Sequence, residues 1–114
     1  PFVIPAMLVQ DNALVSRLTA LIEAALPALP GVRALAASVG MSERTLSRHV
    51  HKATGHSTRH LIQRVQVNKA RALLEAGGCS VEAVAAQVGY QDATALRRLM
   101  RRLLNASPRQ LRQG

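Results

Sequence analysis

The sequence predicts an all-α fold: two helix-turn-helix subdomains joined by a long linker helix, about seven helices and no credible strand. Three observations carry the prediction. A block near the start returns, altered, about fifty residues later. Each copy sets a glycine four residues after an alanine, between two stretches of helical periodicity. The chain's excess positive charge is confined to the region that holds the two copies.

The repeat keeps its register on both sides of one insertion. At an offset of 49, Val32, Ala34, Ala36, Ala37, Val39 and Gly40 recur as Val81, Ala83, Ala85, Ala86, Val88 and Gly89. After one inserted residue the offset becomes 50, and Leu46, Arg48, Ser57, Arg59 and Leu61 recur as Leu96, Arg98, Ser107, Arg109 and Leu111. Chance yields scattered identities, not a run of this kind, so the chain holds two copies of one supersecondary unit.

The elements follow in order. Residues 1–10 read as an interdomain linker, with Pro1 and Pro5 bracketing a short apolar extended stretch. A first amphipathic helix spans roughly Asp11–Leu26, with Leu14, Leu18, Leu21 and Ala25 on one face. Pro27, Pro30 and Gly31 end it. The first helix-turn-helix covers 32–53. Gly40 suits a chain leaving a helix in the left-handed region, and Ala36 is small enough for a second helix to cross closely. Ser42 stands where an N-cap oxygen accepts from free amides. A turn at Gly55 leads to a long helix over about 58–76, roughly 27 Å at 1.5 Å per residue. Its apolar residues cover more than one side, as a helix packed against two lobes requires. Gly77 and Gly78 end it, and the second helix-turn-helix follows over 81–104, with Ala85, Gly89 and Asp92 repeating the first pattern. Ser107 and Pro108 open a short last helix.

Composition narrows the function. The chain carries 15 Lys+Arg against 6 Asp+Glu. Residues 1–39 are balanced, and residues 40–114 hold 13 of the bases against four carboxylates, so the whole excess lies in the repeats. Solubility alone does not require that distribution; a surface facing phosphates does. No stretch approaches the ~18–20 apolar residues of a membrane span, and no signal peptide is recognisable. No membrane partner is expected. The lone Cys79 forms no intrachain disulfide and fits a reducing, cytoplasmic compartment. The chain opens at Pro1 and is expected to be a piece of a longer protein.

The chemistry is expected on the second helix of each unit. On a wheel at 100° per residue, Leu46, Val50 and Ala53 turn inward in the first unit, and Arg44, Ser47, Arg48 and His51 lie opposite. In the second unit Leu96, Leu99, Met100 and Leu103 turn inward, and Thr94, Arg97, Arg98 and Arg101 lie opposite. The outward sets occupy the same four positions in both copies. They are long donors and small hydroxyls, the types that reach base edges in a major groove. Arg48 and Arg98 are read as base contacts; Lys52, Arg101 and Arg102, near helix ends, suit phosphates.

These residues also carry a family resemblance. Met41-Ser42-x-Arg44-x-Leu46-x-Arg48 with Gly55-x-Ser57, and Gly89-Tyr90-x-Asp92-x-Thr94-x-Leu96-x-Arg98 with Ser107-Pro108, resemble the DNA-binding domain of AraC/XylS-type transcription regulators. The resemblance covers about residues 11–113. It implies a sequence-specific regulator that inserts two recognition helices into successive major grooves of bacterial promoter DNA. The linker and first helix resemble the junction in regulators whose N-terminal domain is similar to PfpI-type amidotransferases. By resemblance the base-facing positions are Arg44, Ser47 and Arg48, then Ala93, Thr94, Arg97 and Arg98. Ala93 comes from the resemblance alone, and its methyl can at most meet a thymine methyl. RNA polymerase is the further partner that a regulator would recruit or block. The fragment is expected to be monomeric, and the full-length protein to dimerise through a missing N-terminal domain.

The chain departs from the family pattern at several places. Val50, Leu61, Leu96, Met100 and Leu111 stand where aromatics are usual, Asn105 where glycine is usual, and Thr58 where proline is usual. These changes bear on lobe rigidity more than on DNA contact.

Other classes find little support. His49, His51, His56 and His60 fall within twelve residues, and His56 and His60 have the i,i+4 spacing of a metal pair, yet no carboxylate or cysteine joins them nearby. No metal or other cofactor is expected. There is no carboxylate pair, activated nucleophile or phosphate-binding glycine loop, so the chain does not read as an enzyme. A methyl-accepting DNA-repair regulator would need a zinc-bound cysteine cluster, and Cys79 stands alone. A non-specific architectural DNA binder would satisfy the charge but not the matched outward sets.

Overall fold

The computed structural model describes the backbone of residues 6–113 and the side chains of residues 11–111. Seven helices and no strand occur among them: α1 (Ala6–Ala25), α2 (Val32–Ser38), α3 (Glu43–Thr54), α4 (Thr58–Ala76), α5 (Val81–Gln87), α6 (Ala93–Leu104) and α7 (Pro108–Gln113). The all-α prediction and the bounds of α4 agree with the sequence reading. Helix α1 begins at Ala6, within the expected linker over residues 1–10, and residues 1–5 lie outside the described residues.

The chain forms two compact units. Most of α1, with α2, α3 and the start of α4 up to Ile62, makes the first; residues 25–29, the rest of α4 from Gln63, and α5 to α7 make the second. In the first, the buried residues include Leu18 and Ile22 of α1, Leu35 and Ala36 of α2, and Leu46 and Val50 of α3. The buried face of α1 is centred on Asp11, Leu18 and Ile22, at spacings of seven and four, and Leu14, Leu21 and Ala25 are only half-buried at its flank. The second unit packs Val67, Ala70 and Leu74 of α4 with Val84, Ala85 and Val88, and with Leu96, Leu99 and Met100 of α6.

The repeat is visible bond by bond. The amides of Met41 and Tyr90 each donate at 2.9 Å to the carbonyl of the alanine five residues earlier, Ala36 and Ala85. Ser42 accepts from the Thr45 amide to cap α3, and Asp92 accepts from the Thr94 and Ala95 amides to cap α6. Each such cap is worth roughly 0.5–2 kcal/mol against alanine. Ser80 caps α5, whereas its counterpart before α2, Gly31, has no side chain to do so. At α7 the capping is reciprocal: Ser107 Oγ accepts from the Gln110 amide and Gln110 Oε1 accepts from the Ser107 amide.

Each copy holds the better residue at one of two matched positions. Thr58, the first residue of α4, is 2% exposed and its hydroxyl is buried without a partner among the described residues; its counterpart Pro108 is buried at the first position of α7. Proline is preorganised for that position, where the amide has no intrahelical partner. Asn105 ends α6 in the left-handed region at φ 54°, where Gly55 ends α3 at φ 78°. Thr58→Pro is expected to stabilise the first unit by about 1 kcal/mol, by removing an orphaned hydroxyl and narrowing the unfolded ensemble. Asn105→Gly should gain no more than a few tenths of a kcal/mol. Urea unfolding midpoints check both; a lower midpoint for Thr58→Pro would show that the threonine hydroxyl is satisfied in solution.

Candidate nucleic-acid interface

The surface that could meet DNA is built from the second helix of each helix-turn-helix. In α3, Leu46 and Val50 are fully buried, and this fixes the opposite face, carrying Arg44, Ser47, Arg48 and His51, towards solvent. Lys52 at the helix end is exposed as well. In α6, Leu96, Leu99 and Met100 are buried, and Thr94, Arg97, Arg98, Arg101 and Arg102 are exposed. The wheel therefore placed both outward sets correctly, because a helix with one apolar stripe has a single way to bury it.

Ala93 is the exception. It is 5% exposed and belongs to the buried set of α6. Its methyl sits in the first turn against the core, so it is not available to a thymine methyl, and its inclusion among the base-facing residues is corrected here.

Electrostatics are laid out along both helices. Glu43 lies in the first turn of α3 and Asp92 caps α6, where the helix dipole favours negative charge. His51 and Lys52 lie in the last turn of α3 and Arg101 and Arg102 in that of α6, where it favours positive charge. Arg44, Arg48, Arg98 and Arg101 make no hydrogen bond or ion pair with other described residues, so their donors are available to a ligand. Two arginines of α6 are engaged. Arg97 Nη2 is 3.9 Å from Glu82 Oε1, an exposed pair worth little in water. Arg102 Nη2 donates to Gln63 Oε1 at 2.9 Å.

The copies differ beside these helices. Position 82 of the second copy corresponds to position 33 of the first, so a glutamate faces Arg97 where the first unit has Arg33. Arg33 and Arg44 line an open cleft of about 520 Å³ with Ala36, Met41, Ser42 and Glu43. The first unit thus adds a cation where the second adds an anion.

Two buried polar side chains support the site and were not singled out from the sequence. Gln66 of α4, 1% exposed, donates from Nε2 to the Val88 carbonyl at 2.8 Å and accepts from the Tyr90 hydroxyl at 3.2 Å. It thereby ties α4 to the turn that leads into α6. Asp11 of α1 accepts from His49 Nδ1 of α3 at 2.8 Å. Both carry a sequence signal in retrospect: a polar residue in register with an apolar stripe, Gln66 between Val65 and Val67, and Asp11 ahead of Leu18 and Ile22. His56 and His60 stack, with ring centroids 4.0 Å apart at 21°, and among the described residues no group of three or more His, Cys, Asp or Glu is placed to hold a metal ion. No helix among them is long and apolar enough to cross a membrane.

Comparison with known proteins agrees with this geometry. A family model described as a helix-turn-helix domain matches residues 35–114. The chain is 37% identical over 81 residues to the HTH-type transcriptional activator RhaS of Escherichia coli, an alignment covering 71% of this chain and 29% of that protein. Among solved structures, an AraC-type transcriptional regulator from Chromobacterium violaceum superposes with a TM-score of 0.85 at 22% identity, covering 92% of this chain and 94% of that one. The DNA-binding domain of AdpA, a global transcriptional factor solved in complex with a target DNA, gives a TM-score of 0.74 at 30% identity, covering 90% and 89%. With paired capped helices, matched cationic faces and a family match over most of its length, the chain belongs to the AraC/XylS-type helix-turn-helix family, as its DNA-binding domain.

Proposed function

We propose that this chain is the promoter-reading part of a bacterial transcription regulator, with each unit placing its second helix in a major groove. The observation that carries the reading is the match between the two outward faces. Arg44, Ser47, Arg48 and His51 on α3, and Thr94, Arg97, Arg98 and Arg101 on α6, repeat one arrangement of donors on two independently capped helices. A non-specific binder needs the charge but not the repeated arrangement. Within it, Arg48 and Arg98 read bases, for which guanine O6 and N7 are the best partners of an arginine fork, and Lys52, Arg101 and Arg102 hold phosphates. The protein works in the cytoplasm on nucleoid DNA, and its output is recruitment or exclusion of RNA polymerase. The chain spans 29% of the length of the RhaS relative, so effector response and dimerisation belong to the rest of such a protein.

The test is direct. The chain is used to select duplexes from a randomised pool, and its affinity for the selected duplex and for a scrambled one is followed with rising salt. Sequence-specific reading predicts a selected site with two separate informative patches and an affinity well above that for scrambled DNA. Equal affinities with equal salt slopes would leave only an architectural binder. Arg48→Ala and Arg98→Ala should each cost ~1–3 kcal/mol on the selected duplex and relax specificity at one base position. A uniform loss on all sequences, with a shallower salt slope, would instead assign that arginine to phosphate.

A further inference from the structure

A polar anchor between α1 and the first recognition helix is the bond from His49 Nδ1 to Asp11 Oδ1, 2.8 Å long and spanning 38 positions of sequence. Stability does not account for it. The Asp11 side chain is 5% exposed, and its second oxygen, Oδ2, is buried with no hydrogen-bond partner among the described residues. A carboxylate taken from water with one oxygen unsatisfied costs more than a well-packed apolar residue in the same space. Leu18 and Ile22 on the same stripe show that α1 has apolar residues at the neighbouring positions.

What the bond does supply is direction. Leu46 and Val50 hold α3 by apolar contact, which is non-directional and tolerates a modest rotation of the helix about its axis. His49 lies at the border between that buried face and the cationic one, about 100° from both Arg48 and Val50. Its ring is one-third exposed. A directional bond at this border resists rotation. At about 5–6 Å from the axis, a turn of roughly 20° moves a side chain about 2 Å along the groove. That displacement takes an arginine out of hydrogen-bond range of a base, yet leaves it able to meet a phosphate.

We propose that Asp11 is a positioning residue for DNA reading: through His49 it sets the rotation of α3 and hence the base positions that Arg44 and Arg48 reach. The inference rests on the sequence-specific reading proposed above. It also gives α1 a lever on recognition, since this bond carries a pull on α1 directly to the border of the cationic face of α3.

The test uses the whole 114-residue chain and two duplexes, one selected by the wild-type chain from a randomised pool and one scrambled. Asp11→Leu deletes the acceptor and puts a larger apolar side chain in its place, and Asp11→Asn keeps both the volume and an acceptor oxygen. The leucine variant should lose roughly tenfold in its selected-to-scrambled affinity ratio, with its affinity for scrambled DNA and its salt slope unchanged. The loss should map to the base positions that respond to Arg48→Ala and spare those that respond to Arg98→Ala. The asparagine variant should keep the ratio. An unchanged ratio in the leucine variant, or an equal loss in both patches, would overturn the positioning role. If the leucine variant does not fold, His49→Phe keeps a ring, deletes the donor and is judged by the same readouts. A wild-type chain that enriches no sequence would overturn sequence-specific reading itself, and the positioning role with it.

Discussion

Gly89→Ala is expected to destabilise the second unit by about 3 kcal/mol, while the matched change Gly40→Ala should cost only about 1 kcal/mol. Both glycines leave a short helix in the left-handed region, Gly40 at φ 70° and Gly89 at φ 93°. A residue with a Cβ pays for that conformation in either place. The surroundings decide the difference. A Cβ at Gly40 meets nothing within 4 Å. One at Gly89 lies 2.9 Å from the Pro27 carbonyl oxygen and 3.1 Å from Leu29 Cδ1. The first of these is backbone, which cannot swing aside as a side-chain tip can. The turn into α6 must therefore shift, or residues 27–29 must move away from it. For a chain of this size the loss lowers the melting temperature by roughly 10–15 °C, against about 4 °C for Gly40→Ala. Thermal unfolding of the two variants checks the contrast. Equal shifts would mean that the Pro27 segment yields freely, and that only the backbone conformation matters at Gly89.

Gln66 should be as sensitive, for a different reason. Its amide satisfies the Val88 carbonyl from inside the core, and Val88 is itself fully buried. Gln66→Leu keeps the volume but strands that carbonyl away from water, at a cost of about 2–3 kcal/mol. Gln66→Ala adds a cavity and should cost about 3–4 kcal/mol. Tyr90→Phe removes the 3.2 Å bond to Gln66 Oε1, and about 0.5–1 kcal/mol is expected for that bond. Urea denaturation separates these cases by midpoint at unchanged slope. A leucine variant as stable as wild type would show that water reaches Val88 when the amide is gone. Because the Gln66 bond holds the turn ahead of α6, DNA affinity should fall with stability in these variants but recover at lower temperature.

Much of the fold was legible because its determinants are local. The 100° periodicity of α3 and α6 separates Leu46 and Val50 from Arg44 and Arg48, and Leu96 and Met100 from Arg97 and Arg98, without reference to any other element. Ser42 and Asp92 cap the helices they precede, and Gly40 and Gly89 end the helices they follow. The internal repeat then tested each assignment against its copy. The misreadings lie where local pattern stops being informative. Ala93 was assigned by likeness to the family, but a first-turn alanine faces core or groove according to how the preceding turn meets the helix. The face of α1 was placed on Leu14, Leu18, Leu21 and Ala25, and of these only Leu18 lies on the buried stripe of Asp11, Leu18 and Ile22, a rotation of about 50°. With apolar residues nearly all round, α1 has no periodicity strong enough to choose.

By itself, the sequence determined the all-α class, the doubled helix-turn-helix, the caps and the two cationic faces. All of these follow from the order of residues within a turn or two of helix and from a repeat that can be aligned with itself. Only the tertiary structure decided that Asp11 meets His49, that Gln66 meets Val88, that Arg102 meets Gln63, and that Gly89 has no room for a methyl group. Those pairs lie 22 to 39 residues apart. A buried polar group must find a partner, but its chemistry does not say which of many distant donors or acceptors the packing will bring within 3 Å.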